Sequence, residues 1–409
     1  MTRYDYLIIG GGIAGVTAAE TIRARDPRGS IAIVGDEPHI LYSRVLLPAY
    51  LKGKIRREQL FLRRSEDFSE KQIDVLLGAR VAGVDPARKE VAFADRDPIA
   101  YQKLLIASGG RVKPWGKGKD EDVVFRLQTL DDADRLWGAL PRMKRALVVG
   151  SSFIGLEFLE IFNAHRVATT ILSRDAYYFS SLLDPRGGEM LGQNFERFGV
   201  AMQFGDEVAE LGRSESGIMV TTKAMRNFET DALAIGVGID RNVEVFRDSG
   251  IAGGAQGILA NEFLETNQPD VWAAGDGAEF RDVISGDQHV LGNWTSAFLQ
   301  GKRAGENMAG TRDAFRHVPS YSITNFGFQI TALGETLADT DTIVRIAPLK
   351  NQYERLFLKD GALAGAALIN RFHDKPHLVK LIEGRVNLAA YREKLQDPSF
   401  DIHEIPLVQ

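Results

Sequence analysis

Not one of the 409 residues is cysteine, which excludes disulfides, thiolate-held iron–sulfur clusters, cysteine zinc sites and any dithiol relay. Redox work in such a chain falls to a bound organic cofactor. Histidine is scarce too, at seven. The one close pair, His373 and His377, has Pro376 between its members, which opposes a helix that would align both rings. They read as solvated loop residues, and no metal site is expected. No apolar run approaches the roughly 20 residues that span a bilayer, and no basic, apolar, small-residue signal precedes Tyr4. The expected location is cytoplasmic, with no membrane partner. Excess positive charge is missing as well: 50 Lys and Arg face 55 Asp and Glu, a net charge of −5, so the whole chain gives no reason to bind nucleic acid.

Glycine, by contrast, is plentiful, and its placement is informative. Gly10-Gly11-Gly12-Ile13-Ala14-Gly15 follows the apolar run Tyr6-Leu7-Ile8-Ile9 and precedes a helix-favouring stretch, the strand, turn and helix context of a dinucleotide cradle. Gly10 permits the tight turn, Gly12 lets the backbone approach a pyrophosphate, and Gly15 lets the helix pack on its strand. An acid after the second strand should accept ribose hydroxyls; Ile31-Ala32-Ile33-Val34-Gly35-Asp36-Glu37 offers Asp36, the preferred candidate, and Glu37. The pattern restarts about 140 residues later: Ala146-Leu147-Val148-Val149, then Gly150-Ser151-Ser152-Phe153-Ile154-Gly155, a helix over 154–164 and a strand over 168–172. Strands at 4–10, 31–35 and 104–107 complete a doubly wound βαβ unit. After about Pro319 alternating segments such as Gln329-Ile330-Thr331-Ala332-Leu333 suggest an antiparallel sheet. The expected fold is α/β, with two Rossmann-like domains, at 1–112 with 241–318 and at 113–240, and a C-terminal α+β domain at 319–409. A breaker-rich stretch, Lys113-Pro114-Trp115-Gly116-Lys117-Gly118-Lys119, is the expected connection into the second.

Together these motifs carry a family resemblance. Gly10 to Gly15, Ala107-Ser108-Gly109-Gly110, Thr129-Leu130-Asp131-Asp132-Ala133, Gly150 to Glu157, Ala273-Ala274-Gly275-Asp276 and Trp294 with Gln300-Gly301 resemble, in that order, the FAD-dependent pyridine-nucleotide oxidoreductases of the glutathione-reductase-like fold. The resemblance implies FAD in the first cradle, at Gly10, Gly12, Ile13, Ala14 and Gly15. It implies Ala107, Ser108 and Gly109 beside it, Asp276 accepting from the ribityl chain, and the Val81 backbone meeting adenine. Trp294 either covers the flavin edge or fills the core behind it. Tyr42-Ser43-Arg44-Val45-Leu46-Leu47-Pro48-Ala49 and the segments 323–334 and 353–365 look like rubredoxin and ferredoxin reductases and the flavin part of the NAD(P)H nitrite reductase large subunit. Arg44 then sits at the flavin phosphates. The lysine that many ferredoxin reductases carry near the flavin falls at Ala49, and Val45 stands where coenzyme A disulfide reductases place a cysteine. No cluster-binding extension follows Gln409, so electrons are expected to leave to a separate acceptor.

The resemblance assigns NAD(P)H to the second cradle, at Gly150, Ser152, Phe153, Ile154, Gly155, Ser173, Arg174 and Gly238, with Glu157 as the candidate catalytic residue where nicotinamide meets flavin. Ser152 replaces the glycine that admits pyrophosphate. Ser173-Arg174 stands where an acid would accept the ribose 2′-hydroxyl, and an arginine pairs with a 2′-phosphate, so the reading leans to NADPH over NADH; Asp175 next door blurs it. Lys52, Lys54, Arg56, Arg57, Arg63 and Arg64 form a basic cluster that either steers a small acidic electron carrier, rubredoxin- or ferredoxin-like, or is a solvated helical face. The expected activity is electron transfer from NAD(P)H through FAD to that carrier. An oxidase reducing O₂ and a flavoprotein subunit or nucleotide-binding module with a degenerate second site are the alternatives.

Overall fold

In the computed structural model, residues 1–116, 123–214, 217–336 and 341–407 are described. Part of the expected connection, Lys117, Gly118 and Lys119, lies outside them. The chain forms two compact units: Met1–Val45, Arg56–Arg111 and Ile239–Pro319 make the first, and Leu46–Ile55, Val112–Gly238 and Ser320–Gln409 the second. Leu46–Ile55 thus leaves its sequence neighbours, and the C-terminal segment groups with the second cradle. Among the described residues, no helix is long and apolar enough to cross a membrane.

The first unit is built on the strand Arg3–Ile9, whose apolar end Tyr6-Leu7-Ile8-Ile9 is buried, as a strand covered on both faces must be. It pairs in parallel with Ile31–Val34 on one side and Ile99–Ile106 on the other. Ile73–Leu76 extends the sheet beyond Ile31–Val34, and Val271–Ala273 pairs with Ile99–Ile106. Helix Ile13–Arg25 turns small residues, Ala14, Gly15, Ala18 and Ala19, inward. Helix Trp294–Met308 lies against it so closely that a Cβ on Gly301 would fall 2.2 Å from the Ala14 carbonyl oxygen.

The second unit repeats the plan. Its parallel sheet runs Ala201–Phe204, Ala168–Ser173, Arg145–Val149, Ala232–Ile235 and Val124–Phe125. The repeat extends to single bonds: the Gly10 amide donates to Val34 O and the Gly150 amide to Leu172 O, at 2.7 and 3.0 Å. The C-terminal sheet is antiparallel, in the order Ser320–Asn325, Phe328–Gly334, Ala362–Ile369, Gln352–Lys359 and Asp341–Ala347.

The loop reading of the two histidines needs correction at His377. Pro376 sits in the first turn of helix Lys375–Glu383, where a missing N–H costs nothing, and His377 is helical and half-buried. Its Nε2 is 3.1 Å from the Ile405 carbonyl oxygen and its ring centroid 4.8 Å from that of His403. His373 lies exposed in the preceding 3₁₀ turn. Burial, with His403 beside it, holds His377 below its ordinary value of 6.5. The folded state therefore binds this proton less readily than the unfolded one, and the stability it contributes is present above 6.5 and lost as pH falls. Comparing melting at about pH 7.5 and about pH 5.5, His377→Gln should show a smaller difference than the parent; equal differences would count against this account.

Candidate functional site

In the first cradle, a Cβ on Gly10 would stand 2.1 Å from Ala107 O and one on Gly15 2.0 Å from Gly10 O, so both positions are closed to side chains by backbone. Gly10 also adopts φ +121°. Gly12 differs: nothing lies within 4 Å of its Cβ position. It precedes helix Ile13–Arg25 with no capping side chain and no acid in the first turn. The first-turn amides have no intrahelical carbonyl to bond, and the Gly12 Cβ position beside them is open, the arrangement an anion occupies.

Around this turn stand the other expected groups of the first unit. Asp36 is exposed, while Glu37 accepts from Tyr42 Oη at 2.6 Å and from Arg44 Nη2 at 2.5 Å. Val81 opens strand Val81–Asp85, half-buried. Ser108 Oγ donates to Asn242 O at 2.8 Å and the Asn242 amide returns a bond to Ser108 O at 3.0 Å, locking the turn in which Gly109 has φ +62°. Gly275 donates to the buried Gln300 Oε1 at 2.7 Å and brings its Cβ position within 3.2 Å of Ala14 Cβ, which sets Asp276 against the cradle helix. Burial raises the Asp276 carboxyl above its usual range, with Arg44 and Arg241 opposing. That carboxylate accepts no hydrogen bond among the described residues, so it keeps its capacity for a ligand hydroxyl. Trp294 begins its helix and packs, partly buried, on the edge of the core. Open room at Gly12, free amides and an uncommitted carboxylate fit a dinucleotide with a polyhydroxyl chain.

The second cradle is built alike, with one change. A Cβ on Gly150 would meet Gly236 O at 2.7 Å, and one on Gly155 Gly150 O at 2.5 Å. Ser152 turns its hydroxyl back, donating to Gly236 O at 2.8 Å and accepting from the Gly155 amide at 3.1 Å. It caps helix Phe153–Ala164 and uses one of the amides that Gly12 leaves free in the first cradle. Arg174 is exposed. Asp175 instead points to the glycine turn: its carboxylate accepts from Ser151 Oγ, and from Ser173 Oγ at 3.1 Å. Gly238, with φ +94°, is exposed beyond strand Ala232–Ile235.

Glu157 lies one turn into that helix and is largely buried. Its Oε2 is 3.6 Å from Lys52 Nζ and 3.4 Å from the Asn325 amide. Lys52 also makes a close ion pair with Glu160. Burial raises the Glu157 carboxyl, with Lys52 and then Asn325 opposing. Phe153 packs on Phe179 and Tyr321, with ring centroids 4.7 and 4.5 Å away. Burial pushes Tyr321 up to about 12, with Glu157 adding to it. Tyr178, donating to Ser152 O at 2.7 Å, is raised by burial as well. Lys52, Asn325 and Tyr321 join this site unannounced by any local motif.

Of the six basic residues expected to cluster, three are engaged. Lys52 is among the acids, Arg63 makes two bonds of 2.8 and 2.9 Å to Glu20, and Arg57 lies over the Phe61 ring. Lys54, Arg56 and Arg64 are exposed.

The model of the pyridine nucleotide-disulphide oxidoreductase family matches residues 4–301. The epsilon subunit of an NADH-dependent phenylglyoxylate dehydrogenase of Aromatoleum evansii is 28% identical over 396 residues, 95% of this chain and 94% of the relative. The ferredoxin–NAD(+) reductase component of a biphenyl dioxygenase system of Paraburkholderia xenovorans is 28% identical over 400 residues, 97% of each chain. A crystal structure of a ferredoxin reductase from Rhodopseudomonas palustris shares the fold, with a TM-score of 0.89 at 24% identity, over 98% of this chain and 99% of that one.

Proposed function

Since the chain belongs to the pyridine nucleotide-disulphide oxidoreductase family, we propose that it takes electrons from NADH and delivers them by way of FAD to a separate ferredoxin- or rubredoxin-like carrier protein. One observation carries this reading: two built phosphate cradles stand in a chain with no cysteine. FAD supplies the link between two-electron nicotinamide chemistry and one-electron carriers. The chain supplies position. Gly12 with the amides of Ile13 and Ala14 receives the pyrophosphate, Arg44 adds positive charge to it, the exposed Asp36, or Glu37 beside it, takes ribose hydroxyls, and Asp276 the ribityl chain. The second cradle, with Phe153 and Glu157, receives the nicotinamide nucleotide.

Arg174, exposed after its strand, suits a 2′-phosphate. The carboxylate of Asp175, held at the turn by Ser151 and Ser173, weighs more heavily because it accepts a 2′-hydroxyl and repels a phosphate. Two relatives named for NADH or NAD(+) support the same choice.

Anaerobic NADH should bleach the flavin of the purified protein within the mixing experiment, and added ferredoxin or rubredoxin should restore the colour repeatedly. A flavin that stays oxidised would refute the reading, and peroxide release at an undiminished rate without a carrier would replace it with an oxidase. Asp175→Ala should lower the NADH:NADPH preference in kcat/KM by about tenfold, a change of roughly 1.4 kcal/mol.

A further inference from the structure

Glu157 and Glu160 are three residues apart on helix Phe153–Ala164 and so share a face, where like charges repel. Among the described residues, Lys52 is the one cation in ion-pair contact with them. Side-chain exposure is 10% for Lys52, 13% for Glu157 and 19% for Glu160, so water screens the three poorly. Three described neighbours add no charge: Asn325 donates an amide, and Tyr178 and Tyr321 are phenols that burial keeps protonated. Two carboxyl groups are therefore gathered about one ammonium, and the tighter contact goes to Glu160. Glu157 is left with two long contacts of 3.6 and 3.4 Å.

The same helix begins at the second cradle. On the reading above, which this inference rests on, the cradle receives a nucleotide whose ring is a cation when oxidised and neutral when reduced. We infer that the Lys52–Glu157–Glu160 cluster, with one more carboxyl than ammonium, selects the redox state of the bound nicotinamide, favouring the cationic ring over the neutral one. Such a bias favours the nucleotide form left after hydride donation. Burial raises the Glu157 carboxyl even with Lys52 opposing, and a cationic ring would add a second positive charge that favours its ionised form.

Isothermal titration of the FAD-loaded, oxidised protein tests this with three probes: NAD+, tetrahydro-NAD, whose ring is neutral and holds no transferable hydride, and ADP-ribose, which has no ring. Glu157→Gln and Glu160→Gln should each weaken NAD+ relative to tetrahydro-NAD by about tenfold, the equivalent of one pKa unit. Lys52→Met should shift the ratio the other way. ADP-ribose should bind all four proteins alike. A purely structural role would move NAD+ and tetrahydro-NAD together, and that result, or a shift of the same sign in all three variants, overturns the inference. Should Lys52→Met fail to fold, Glu160→Gln, which removes charge and keeps shape, still decides the matter. Failure of the parent to bind ADP-ribose would instead sink the nucleotide reading of the cradle, and this inference with it.

Discussion

Protein carrying Gly12→Asp should purify folded and colourless. The Cβ position of Gly12 has nothing within 4 Å, and its backbone, at φ −77° and ψ −176°, is open to any residue. The change therefore asks nothing of the apoprotein; an aspartate there even caps helix Ile13–Arg25. What it removes is room. A carboxylate placed over the first-turn amides takes the position proposed for the pyrophosphate and repels it by charge. Absorbance of bound flavin should be lost and NADH-dependent carrier reduction should fall by at least about 100-fold, roughly 2.7 kcal/mol or more. Melting of the variant should stay within a few degrees of the flavin-stripped parent. Gly10→Ala makes the contrast. There the new methyl meets Ala107 O at 2.1 Å in a left-handed backbone, and the expected result is poor folding. A yellow, active Gly12→Asp protein would place the flavin phosphates elsewhere.

That contrast also shows which parts of the site were open to reading from sequence. A cradle is local: strand, glycines and helix are contiguous, and each glycine's backbone is dictated by neighbours within the motif or one strand away. Gly10, Gly12, Gly15, Gly150 and Gly155 all stand where the spacing put them. Ser152 was legible as a departure but not in its effect, because the outcome depends on its rotamer, and the hydroxyl bonds to Gly236 O, 84 residues on. Lys52 looked like one of six surface cations. Only folding brings Leu46–Ile55 into the second unit and sets that ammonium between Glu157 and Glu160. Asn325 reaches Glu157 across 168 residues. Charge and amide side chains carry no periodic signal, so their partners become visible only once the topology is known.

The largest stability effect is expected in the C-terminal sheet. Arg345 and Glu354 stand directly opposite each other on the antiparallel strands Asp341–Ala347 and Gln352–Lys359, both with side chains fully buried, 2.5 Å apart. Arg345 also donates to the carbonyl oxygens of Phe400 and Pro398, the latter at 3.4 Å. Arg345→Met leaves a buried carboxyl without its cation and two carbonyls without their donor, and should cost about 3–5 kcal/mol. Arg345→Met/Glu354→Leu removes both charges and should recover most of that loss, since paired burial is costly in itself. Amide exchange in strand Asp341–Ala347 reads this locally, without assuming that two units unfold together. The variant should also respond to pH with a definite sign. Burial already raises Glu354, with Arg345 foremost among the groups opposing. Without Arg345 the carboxyl rises further, so the folded state holds a proton that the unfolded state releases above about 4.5. Stability of Arg345→Met should then fall, relative to the parent, as pH rises from about 5 to about 7.5. A loss below about 1 kcal/mol, or a double variant no better than the single, would mean that the pair sets strand register without holding the sheet together.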